Sequence, residues 1–270
     1  MHDPLQYEGR KVVVTGTASG MGEATAQILV DLGAQVTALD IKETSVDVET
    51  ALTIDLRDPA SIDASVAQIE GPVDAVFSCA GLPGPPFGEL DTMLVNFVGA
   101  RHFIEALIPQ IVEGGSVGCI SSAGALGWQE QLPILMELFA RETFEDQKAW
   151  LEANQETWGW SGYLWSKYAI DAWVGWRGAD LIEKGIRLNC INPGPTDTAM
   201  MPAFHELAGK EVIDSAIGPI GRYSTAIEQA WPLVMLNSTR MSYVCGEVLW
   251  TDGGFIGANS TGKQGGFGEL

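Results

Sequence analysis

A glycine-rich turn between an apolar run and a helical pattern constrains this chain more than any other feature of its sequence. Lys11–Thr15 reads KVVVT, as a buried strand does, and residues 20–32 carry apolar side chains at helical spacing. The sequence from Thr15 to Gly22, TGTASGMG, joins them. Glycines permit a tight turn and let backbone N–H groups approach a pyrophosphate at a helix N-terminus. The pattern therefore predicts a dinucleotide-binding strand–turn–helix unit, and a merely tight turn is the alternative.

Short apolar runs alternate with helical patterns along the rest of the chain. Because these runs are nearly continuous in apolar residues, they are typical of a parallel sheet covered by helices on both faces. No internal repeat or linker is visible, so we expect one α/β domain over residues 1–270, a doubly wound parallel sheet of Rossmann type. The predicted strands are 11–15, 35–39, 51–54, 73–79, 116–121, 186–191 and 248–251, and the predicted helices are 20–32, 59–69, 90–111 and 163–184.

The charge balance argues against two classes of partner. The chain has 35 acidic and 15 basic residues, a formal net charge of -20. Nucleic acid and anionic membrane surfaces both bind cationic patches, so we expect neither as a partner. The N-terminus has no apolar core of a signal sequence, and no apolar run reaches the length of about 18 residues that spans a bilayer. Four widely spaced cysteines, each in an apparent strand, indicate reduced thiols and a cytoplasmic protein.

Asp40, just after the predicted second strand, bears on the choice of cofactor. A carboxylate at this point can accept hydrogen bonds from both hydroxyls of an adenosine ribose, and it would repel a 2′-phosphate. The glycine-rich turn contains no Arg or Lys, and Lys42 is the first basic residue after Asp40. The sequence therefore favours NAD over NADP, with an ordinary strand-end turn residue as the alternative.

Tyr163 and Lys167 lie four positions apart in a predicted helix and so share one face. A phenol, with a pKa of about 10, is a poor base at neutral pH. A nearby ammonium group favours the phenolate, which can take a proton from an alcohol or, once protonated, return one to a carbonyl. Many helices contain this pair by chance. Here it accompanies Ser121 and Ser122 at the end of the predicted fifth strand, and Asn96 in the preceding long helix.

Together these motifs resemble those of the short-chain dehydrogenase/reductase family over nearly the whole chain. The shared motifs are the turn at 15–22, Asp40, Asp55-Leu56, Cys79-Ala80-Gly81, Val95-Asn96, Ile120-Ser121-Ser122, Tyr163-Leu164-Trp165-Ser166-Lys167, Asn192-Pro193-Gly194 and Asp252-Gly253-Gly254. One motif departs from the family pattern, because Cys79 stands where family members carry an asparagine that braces the sheet. We expect the hydrogen bonding there to differ.

The resemblance implies four catalytic residues. Tyr163 would be the general acid/base, and Ser122 rather than Ser121 would hydrogen-bond the reacting oxygen. Lys167 would bind the nicotinamide ribose and lower the pKa of Tyr163, and Asn96 would hold a water in a proton relay. No metal is implied.

The resemblance also implies which residues contact the cofactor. Asp55 would contact the adenine, and Thr198 would contact the nicotinamide amide. The full set of implied NAD contacts is Gly16, Ser19, Gly20, Met21, Gly22, Asp40, Asp55, Leu56, Ala80, Gly81, Tyr163, Lys167, Pro193, Gly194, Thr196 and Thr198.

The distance between Ser122 and Tyr163, 41 positions, is much longer than is usual in the family. The extra segment, about 128–160, has the apolar spacing of two amphipathic helices before the catalytic helix. An insertion here resembles the subgroup of 3α-hydroxysteroid dehydrogenase/carbonyl reductases and coniferyl-alcohol dehydrogenases, in which the insert alters subunit packing. Seven of the nine tryptophans fall between Trp128 and Trp176. They either line a pocket for a flat substrate or pack the core, and we favour packing for most of them.

These features lead to one expected function and two alternatives. The apolar residues Met200, Met201, Phe204 and Leu207 would cover a hydrophobic substrate, unless they belong to a surface helix. We expect an NAD-dependent oxidoreductase that interconverts a secondary alcohol and a ketone on a hydrophobic, hydroxysteroid-like ring. An aryl or allylic alcohol dehydrogenase is the first alternative, and a catalytically silent NAD-binding module is the second. We expect a homo-oligomer, a dimer or a tetramer, with a flexible or partner-ordered tail over about 257–270.

Overall fold

A sheet of seven parallel strands runs through the computed structural model, which describes residues 3–263. Its strands lie in the order β3-β2-β1-β4-β5-β6-β9, so the chain reverses direction across the sheet between β1 and β4. This arrangement confirms the predicted α/β fold of Rossmann type. The seven strands are β1 (Lys11–Thr15), β2 (Gln35–Asp40), β3 (Thr50–Thr53), β4 (Val73–Ser78), β5 (Ile111–Ile120), β6 (Arg187–Pro193) and β9 (Val248–Thr251), and the two-residue strands β7 (Thr196–Asp197) and β8 (Ser224–Thr225) pair separately.

Helices cover both faces of the sheet, as continuous apolar strands require. Side chains alternate along β1, where Val12 and Val14 enter one core and Val13 enters the other. The first core lies under α1 and α11, and the second lies under α2, α4 and α8. The helices are α1 (Gly20–Asp31), α2 (Pro59–Val66), α3 (Glu89–Met93), α4 (Ala100–Leu107), α5 (Leu132–Phe139), α6 (Phe144–Ala153), α7 (Gln155–Trp158), α8 (Gly162–Ile182), α9 (Met201–Ala208), α10 (Lys210–Ser215), α11 (Ala226–Asn237) and α12 (Phe255–Ser260).

The predicted long helix over 90–111 is present but not uniform. A π-helical segment, Leu94–Gly99, separates α3 from α4 and contains Asn96. Gly99 packs directly on the neighbouring backbone, since a Cβ atom there would lie 1.9 Å from the carbonyl oxygen of Leu56. A helix that widens at one turn often marks a functional position, because it re-aims side chains and carbonyl groups.

Segment 128–160 forms the two predicted amphipathic helices, α5 and α6, followed by the short α7. Its apolar side chains, including Leu135, Leu138 and Leu151, join the core on the α8 side of the sheet. Phe139 lies with its ring 5.6 Å from that of Phe97, near the catalytic helix. The predicted packing role is confirmed for the buried tryptophans of this region, which are Trp150, Trp158, Trp165 and Trp173. Trp160 and Trp176, in contrast, are exposed.

Three predictions about local structure need correction. No helix was expected over Ala226–Asn237, yet α11 covers the first core there. Cys245 lies in a turn before β9 rather than in a strand. The predicted tail over 257–270 begins inside α12, and its residues 264–270 lie outside the described part of the chain. Among residues 3–263, no helix combines the length and the apolar character that crossing a bilayer requires.

Candidate active site

The predicted phosphate-binding turn has little spare room around its glycines. Gly16 and Gly20 adopt φ values of 78° and 65°, a region that favours glycine. A Cβ atom on Gly16 would lie 2.6 Å from the Ala80 nitrogen, and one on Gly22 would lie 2.1 Å from the Gly16 carbonyl oxygen. Ser19 begins α1 without a capping hydrogen bond from its side chain. The first N–H groups of α1 are therefore uncapped by a side chain, and the turn fits a pyrophosphate.

Asp40 ends β2 beside this turn and is held by two backbone groups. Its Oδ2 accepts a hydrogen bond from the Ala18 N–H at 3.0 Å, and its Oδ1 accepts one from the Lys42 N–H at 3.0 Å. Ser19 presents an exposed side chain here, whereas the side chain of Met21 packs against the core. Met21 therefore offers the cofactor its backbone rather than its side chain.

Asp55 follows β3 and is engaged within the chain. Its carboxylate accepts two hydrogen bonds from the Arg57 side chain, at 3.0 and 2.7 Å. This pairing is the largest cause of the lowered pKa of Asp55. Leu56 is buried, with its backbone against Gly99. An adenine contact from Asp55, as the resemblance implies, would therefore form beside an existing ion pair with Arg57.

The backbone at Cys79 is held by the side chain of Thr15. The hydroxyl oxygen of Thr15 accepts hydrogen bonds from the N–H groups of Cys79 and Ala80, at 3.2 and 3.4 Å. Burial raises the pKa of the Cys79 thiol to about 12, so this side chain stays neutral.

The remaining predicted cofactor residues also lie at the carboxyl edge of the sheet. Pro193 ends β6, and Gly194 is so close to Asp252 that a Cβ atom would lie 3.0 Å from the Asp252 Cα. The Thr196 hydroxyl donates to the Gly194 carbonyl at 2.9 Å. Thr198 lies against the glycine-rich turn, because its Cγ2 atom would be 3.7 Å from a Cβ atom added to Gly20. Residues distant in sequence thus surround one crevice where parallel strands end.

Ser122, Tyr163 and Lys167 come together at this edge. Tyr163 lies in the first turn of α8, and the side chain of Ser122 lies beside its phenol group. The Lys167 Nζ lies 5.5 Å from the centre of the Tyr163 ring and donates a hydrogen bond to the Ile120 carbonyl at 2.9 Å. Ser121 points elsewhere, because its hydroxyl donates to the Lys167 carbonyl at 3.2 Å. Ser122 is therefore the serine beside the phenol.

Burial shifts both titratable groups of this cluster. It raises the pKa of Tyr163, while the side chain of Ser122 opposes the rise. It also lowers the pKa of Lys167 to about 8. Both shifts disfavour the charged forms, as a low-dielectric site does. Titratable groups whose pKa values are shifted in this way by burial and by specific neighbours are typical of functional sites.

Asn96 uses its side chain to hold the loop after β4. Its Oδ1 accepts from the Leu82 N–H at 2.6 Å, and its Nδ2 donates to the Leu82 carbonyl at 3.0 Å. Nδ2 also lies 3.1 Å from the Ser166 hydroxyl, which donates to the Tyr163 carbonyl at 2.6 Å. Asn96 thereby links the loop to the catalytic helix. Because its side-chain amide is already engaged, a relay water would bind another atom of this residue.

A small internal cavity of about 10 Å³ lies behind Asn96, which is room for one water molecule. Arg101 and Trp173 line it, and the Arg101 Nη1 and Trp173 Nε1 atoms are buried without a protein partner. The other end of the Arg101 guanidinium donates to the Phe139 carbonyl at 3.2 Å, at the end of α5. A bridging water would satisfy these donors, so the cavity fits an ordered water near the predicted proton relay.

Helix α9 covers the predicted catalytic residues. The Phe204 ring lies edge-on to the Tyr163 ring, with centroids 4.9 Å apart. Leu207 approaches the loop after β4, because its Cδ2 atom would lie 3.8 Å from a Cβ atom added to Gly84. On the outer side, His205 lies 3.0 Å from the Tyr223 hydroxyl. The segment that the sequence predicted to cover a substrate therefore does lie over Tyr163, and its inner side is apolar.

Asp171 was not identified from the sequence, although it lies four residues after Lys167 on α8. Its side chain is fully buried and accepts a hydrogen bond from Asn192 Nδ2 at 2.7 Å. The spacing alone could have drawn attention to it, since positions four apart share a helix face. In residues 3–263, no three His, Cys, Asp or Glu side chains are grouped as a metal site would require.

Comparisons with known proteins agree with this geometry. A family model described as short chain dehydrogenase matches residues 10–132, and one described as enoyl-(acyl carrier protein) reductase matches residues 149–256. The chain is 29% identical over 251 residues to the coniferyl-alcohol dehydrogenase of Pseudomonas sp. (strain HR199), covering 93% of this chain and 98% of that protein. It is 32% identical over 248 residues to the 3-alpha-hydroxysteroid dehydrogenase/carbonyl reductase of Comamonas testosteroni, covering 90% and 95%.

A solved structure shares the fold. The 3-alpha-hydroxysteroid dehydrogenase from Pseudomonas sp. B-0831, complexed with NADH, superposes with a TM-score of 0.79 at 24% identity. The match covers 94% of this chain and 99% of that chain. At this identity the likeness extends to the fold and no further.

Proposed function

This chain belongs to the short-chain dehydrogenase family of oxidoreductases, and we propose that it interconverts a secondary alcohol and a ketone on a hydrophobic ring, with NAD as cofactor. The grouping of Ser122 and Lys167 around the Tyr163 phenol supports this most directly. These three groups lie next to a glycine-rich turn that fits a pyrophosphate. The same crevice can therefore hold a dinucleotide and move a proton.

In the direction of oxidation, the Tyr163 phenolate removes the hydroxyl proton of the substrate. Ser122 donates a hydrogen bond to the reacting oxygen and orients it toward the phenol. The Lys167 ammonium stabilises the phenolate and opposes the rise in the Tyr163 pKa that burial causes. When bound, NAD supplies the hydride acceptor that no side chain provides. Asn96 holds the loop after β4 against the catalytic helix, which keeps the two sides of the crevice in register.

We propose NAD rather than NADP because of Asp40. Its carboxylate ends β2 beside the glycine-rich turn and is oriented by the N–H groups of Ala18 and Lys42. An oriented carboxylate can accept hydrogen bonds from ribose hydroxyls, and it repels a 2′-phosphate.

The substrate class follows from the apolar cover over Tyr163. Phe204 lies edge-on to the phenol, and Leu207 of the same helix approaches the loop after β4. Apolar walls favour a ring substrate with one polar oxygen, because a second buried polar group would lose its hydration without a partner. A hydroxysteroid fits this description. An aryl allylic alcohol is the second candidate, because the relative from Pseudomonas sp. (strain HR199) is a coniferyl-alcohol dehydrogenase.

An assay of NAD reduction distinguishes these functions. The substrate panel contains 3α-, 3β- and 17β-hydroxysteroids, coniferyl alcohol and a small aliphatic secondary alcohol, each with NAD and with NADP. We expect the highest kcat/KM for a hydroxysteroid with NAD. Preference for coniferyl alcohol would favour the second candidate. Binding of NADH, measured by its fluorescence, without turnover of any panel member or of the matching ketones would indicate a silent binding module.

We also propose that the protein acts in the cytoplasm as a homo-oligomer. Free thiols at all four cysteines suit a reducing compartment. One face of α11 exposes Ile227, Trp231 and Met235, which are 52%, 40% and 51% exposed and lie four residues apart. The helix packs on β5 and β6 through its other side, so this apolar face points away from the sheet. Such a stripe suits a contact between two copies of the chain.

A further inference from the structure

Asp171 is a buried carboxylate that the proposed reaction does not require directly. It lies on α8 one helical turn beyond Lys167, and its side chain is 0% exposed. Burying an ionisable group costs stability unless other groups compensate its charge. An apolar side chain would fill the same position without that cost. The position therefore calls for a physical account beyond packing.

The carboxylate lies near two residues that each precede a predicted functional residue, and one helical turn from Lys167. Asn192 Nδ2 donates to its Oδ2 at 2.7 Å, and Asn192 precedes Pro193 in the predicted nicotinamide-binding segment. The side chain of Ser121, the residue before Ser122, also lies near the carboxylate and favours its charged form. Lys167 is the cation that faces Asp171 from its own helix.

The remaining titratable groups around it are thiols. The Cys190 Sγ, from β6, lies 3.7 Å from Asp171 Oδ1, and Cys119, from β5, faces Lys167. Burial raises the pKa of Cys119 to about 12 and that of Cys190 well above its ordinary value. Both thiols are therefore neutral near pH 7, and the charge balance of this pocket rests on Lys167 and Asp171.

Each of the two charges stabilises the other. Burial lowers the pKa of Lys167 to about 8, and the charge of Asp171 is the largest influence that opposes this fall. Burial raises the pKa of Asp171 to about 6, and the side chains of Ser121 and Asn192, together with the charge of Lys167, oppose that rise. Near pH 7 both groups are ionised.

We propose that Asp171 is a positioning residue, whose buried carboxylate keeps Lys167 in its ammonium form and ties the catalytic helix to Asn192 on β6. It acts through Lys167 and touches neither substrate nor cofactor. This inference rests on the proposed function, because Lys167 matters to proton transfer only if Tyr163 carries it. Loss of the carboxylate would release the Lys167 proton at lower pH and leave the Tyr163 phenolate without its cation.

The first test follows the titration of Lys167 itself, without any assay of activity. NMR of protein labelled at lysine Cε and Nζ reports the midpoint, and the Lys167→Arg protein identifies the signal by its loss. In Asp171→Asn, which keeps the side-chain volume and removes the charge, we expect the midpoint to fall by at least one pH unit, a tenfold rise in the acid dissociation constant. Asp180→Asn, an exposed carboxylate on the same helix, is the matched control and leaves the midpoint in place.

A reciprocal measurement covers the case in which Asp171→Asn does not fold. In Lys167→Met protein, labelled at aspartate Cγ, the Asp171 titration moves upward if the two charges face each other as described. An Asp171 midpoint that stays in place in this variant overturns the proposal, as does a Lys167 midpoint that stays in place in folded Asp171→Asn.

Kinetics separate a positioning role from a packing role. In Asp171→Asn we expect the alkaline limb of the pH profile of kcat to move to lower pH by at least one unit, while the limb of Asp180→Asn is unchanged. A packing defect would lower kcat equally at every pH, and that result contradicts the proposal. The NMR midpoints stand apart from turnover, so they support or overturn the role of Asp171 even if the wild-type protein oxidises none of the panel alcohols.

Discussion

At the scale of single residues, the site combines side chains whose ordinary chemistry is unsuited to neutral pH. Tyr163 is normally too weak an acid to form a phenolate near pH 7, and burial makes it weaker still. Ser122 acts against that effect, and the Lys167 Nζ lies 5.5 Å from the centre of the phenol ring. Asp171 in turn opposes the loss of the Lys167 charge. The reactivity of one phenol therefore depends on a short series of neighbours.

Replacing Tyr163 by Phe tests the acid/base role. Phenylalanine keeps the ring contact with Phe204 but removes the hydroxyl that transfers the proton. We expect kcat to fall by about 10²- to 10⁴-fold, the usual contribution of general acid–base catalysis, while NADH affinity changes less than about twofold. Steady-state turnover and NADH fluorescence titration measure the two effects. Tyr168→Phe, one turn further along α8, is the control, and wild-type turnover in Tyr163→Phe would show the mechanism to be wrong.

Replacing Asp40 by Ala tests the cofactor assignment. Loss of the carboxylate removes the repulsion of a 2′-phosphate and the ribose hydrogen bonds, so the ratio of kcat/KM for NAD over NADP should fall at least tenfold. Asp40→Asn separates the causes, because it removes the charge and keeps an acceptor for the Ala18 N–H. Glu43→Gln, an exposed neighbour, is the control. An unchanged ratio in both Asp40 variants would remove Asp40 from cofactor selection.

At the scale of secondary-structure elements, the sequence predicted what periodicity and glycine chemistry determine. The strands and helices of the sheet came out within a few residues, and so did the two helices of segment 128–160. Helix α11 was not predicted, and it contains Pro232, a residue that normally argues against a helix interior. Tertiary burial of Leu233 and Val234 outweighs that cost. The role of Asn96 as a loop clamp also needed coordinates, because Leu82 and Ser166 meet it only in the folded chain.

The turn between β1 and α1 permits a paired glycine test. Gly22→Ala places a Cβ atom 2.1 Å from the Gly16 carbonyl oxygen, so the turn must move and NADH affinity should fall at least tenfold. Gly175→Ala, inside α8, meets no atom within 4 Å and should raise the free energy of unfolding by about 0.5–1 kcal/mol. Fluorescence titration and urea denaturation measure the pair. Equal NADH affinity in both variants contradicts the predicted role of the turn.

Helix α6 tests whether segment 128–160 belongs to the main core. Leu151 is fully buried in the cluster that contains strand residues such as Val117. Leu151→Ala should therefore lower the free energy of unfolding of the whole chain by about 2–5 kcal/mol, as large-to-small core changes do. The adjacent Glu152→Ala, at an exposed position, should change it by less than about 0.5 kcal/mol. A normal urea midpoint in Leu151→Ala would mean that the segment unfolds independently of the sheet.

At the scale of the whole molecule, a chain with a net charge of -20 contains a crevice fitted to a dinucleotide. The two facts are compatible because the turn offers backbone N–H groups and the end of α1 rather than basic side chains. The family resemblance inferred from scattered motifs is confirmed by the comparisons, and the seven-stranded sheet explains the scatter. Motifs far apart in sequence, such as Gly20 and Thr198, meet where parallel strands end.

The exposed stripe on α11 gives the test of assembly. In a two-fold contact each residue near the axis lies close to its own copy, so Trp231→Glu would bring two carboxylates together and replace apolar area with charge. We expect the mass of Trp231→Glu in sedimentation velocity to fall toward one chain, while the wild type sediments as a dimer or a tetramer.

Ile182→Glu is the control, since it adds the same charge at a similarly exposed apolar position, 43% against 40%, on α8. Because helix α11 packs on the sheet through Leu233 and Val234 on its other side, the substitution should leave the urea midpoint of the monomer nearly unchanged. Identical masses for Trp231→Glu and wild type would show that α11 is not the contact between copies.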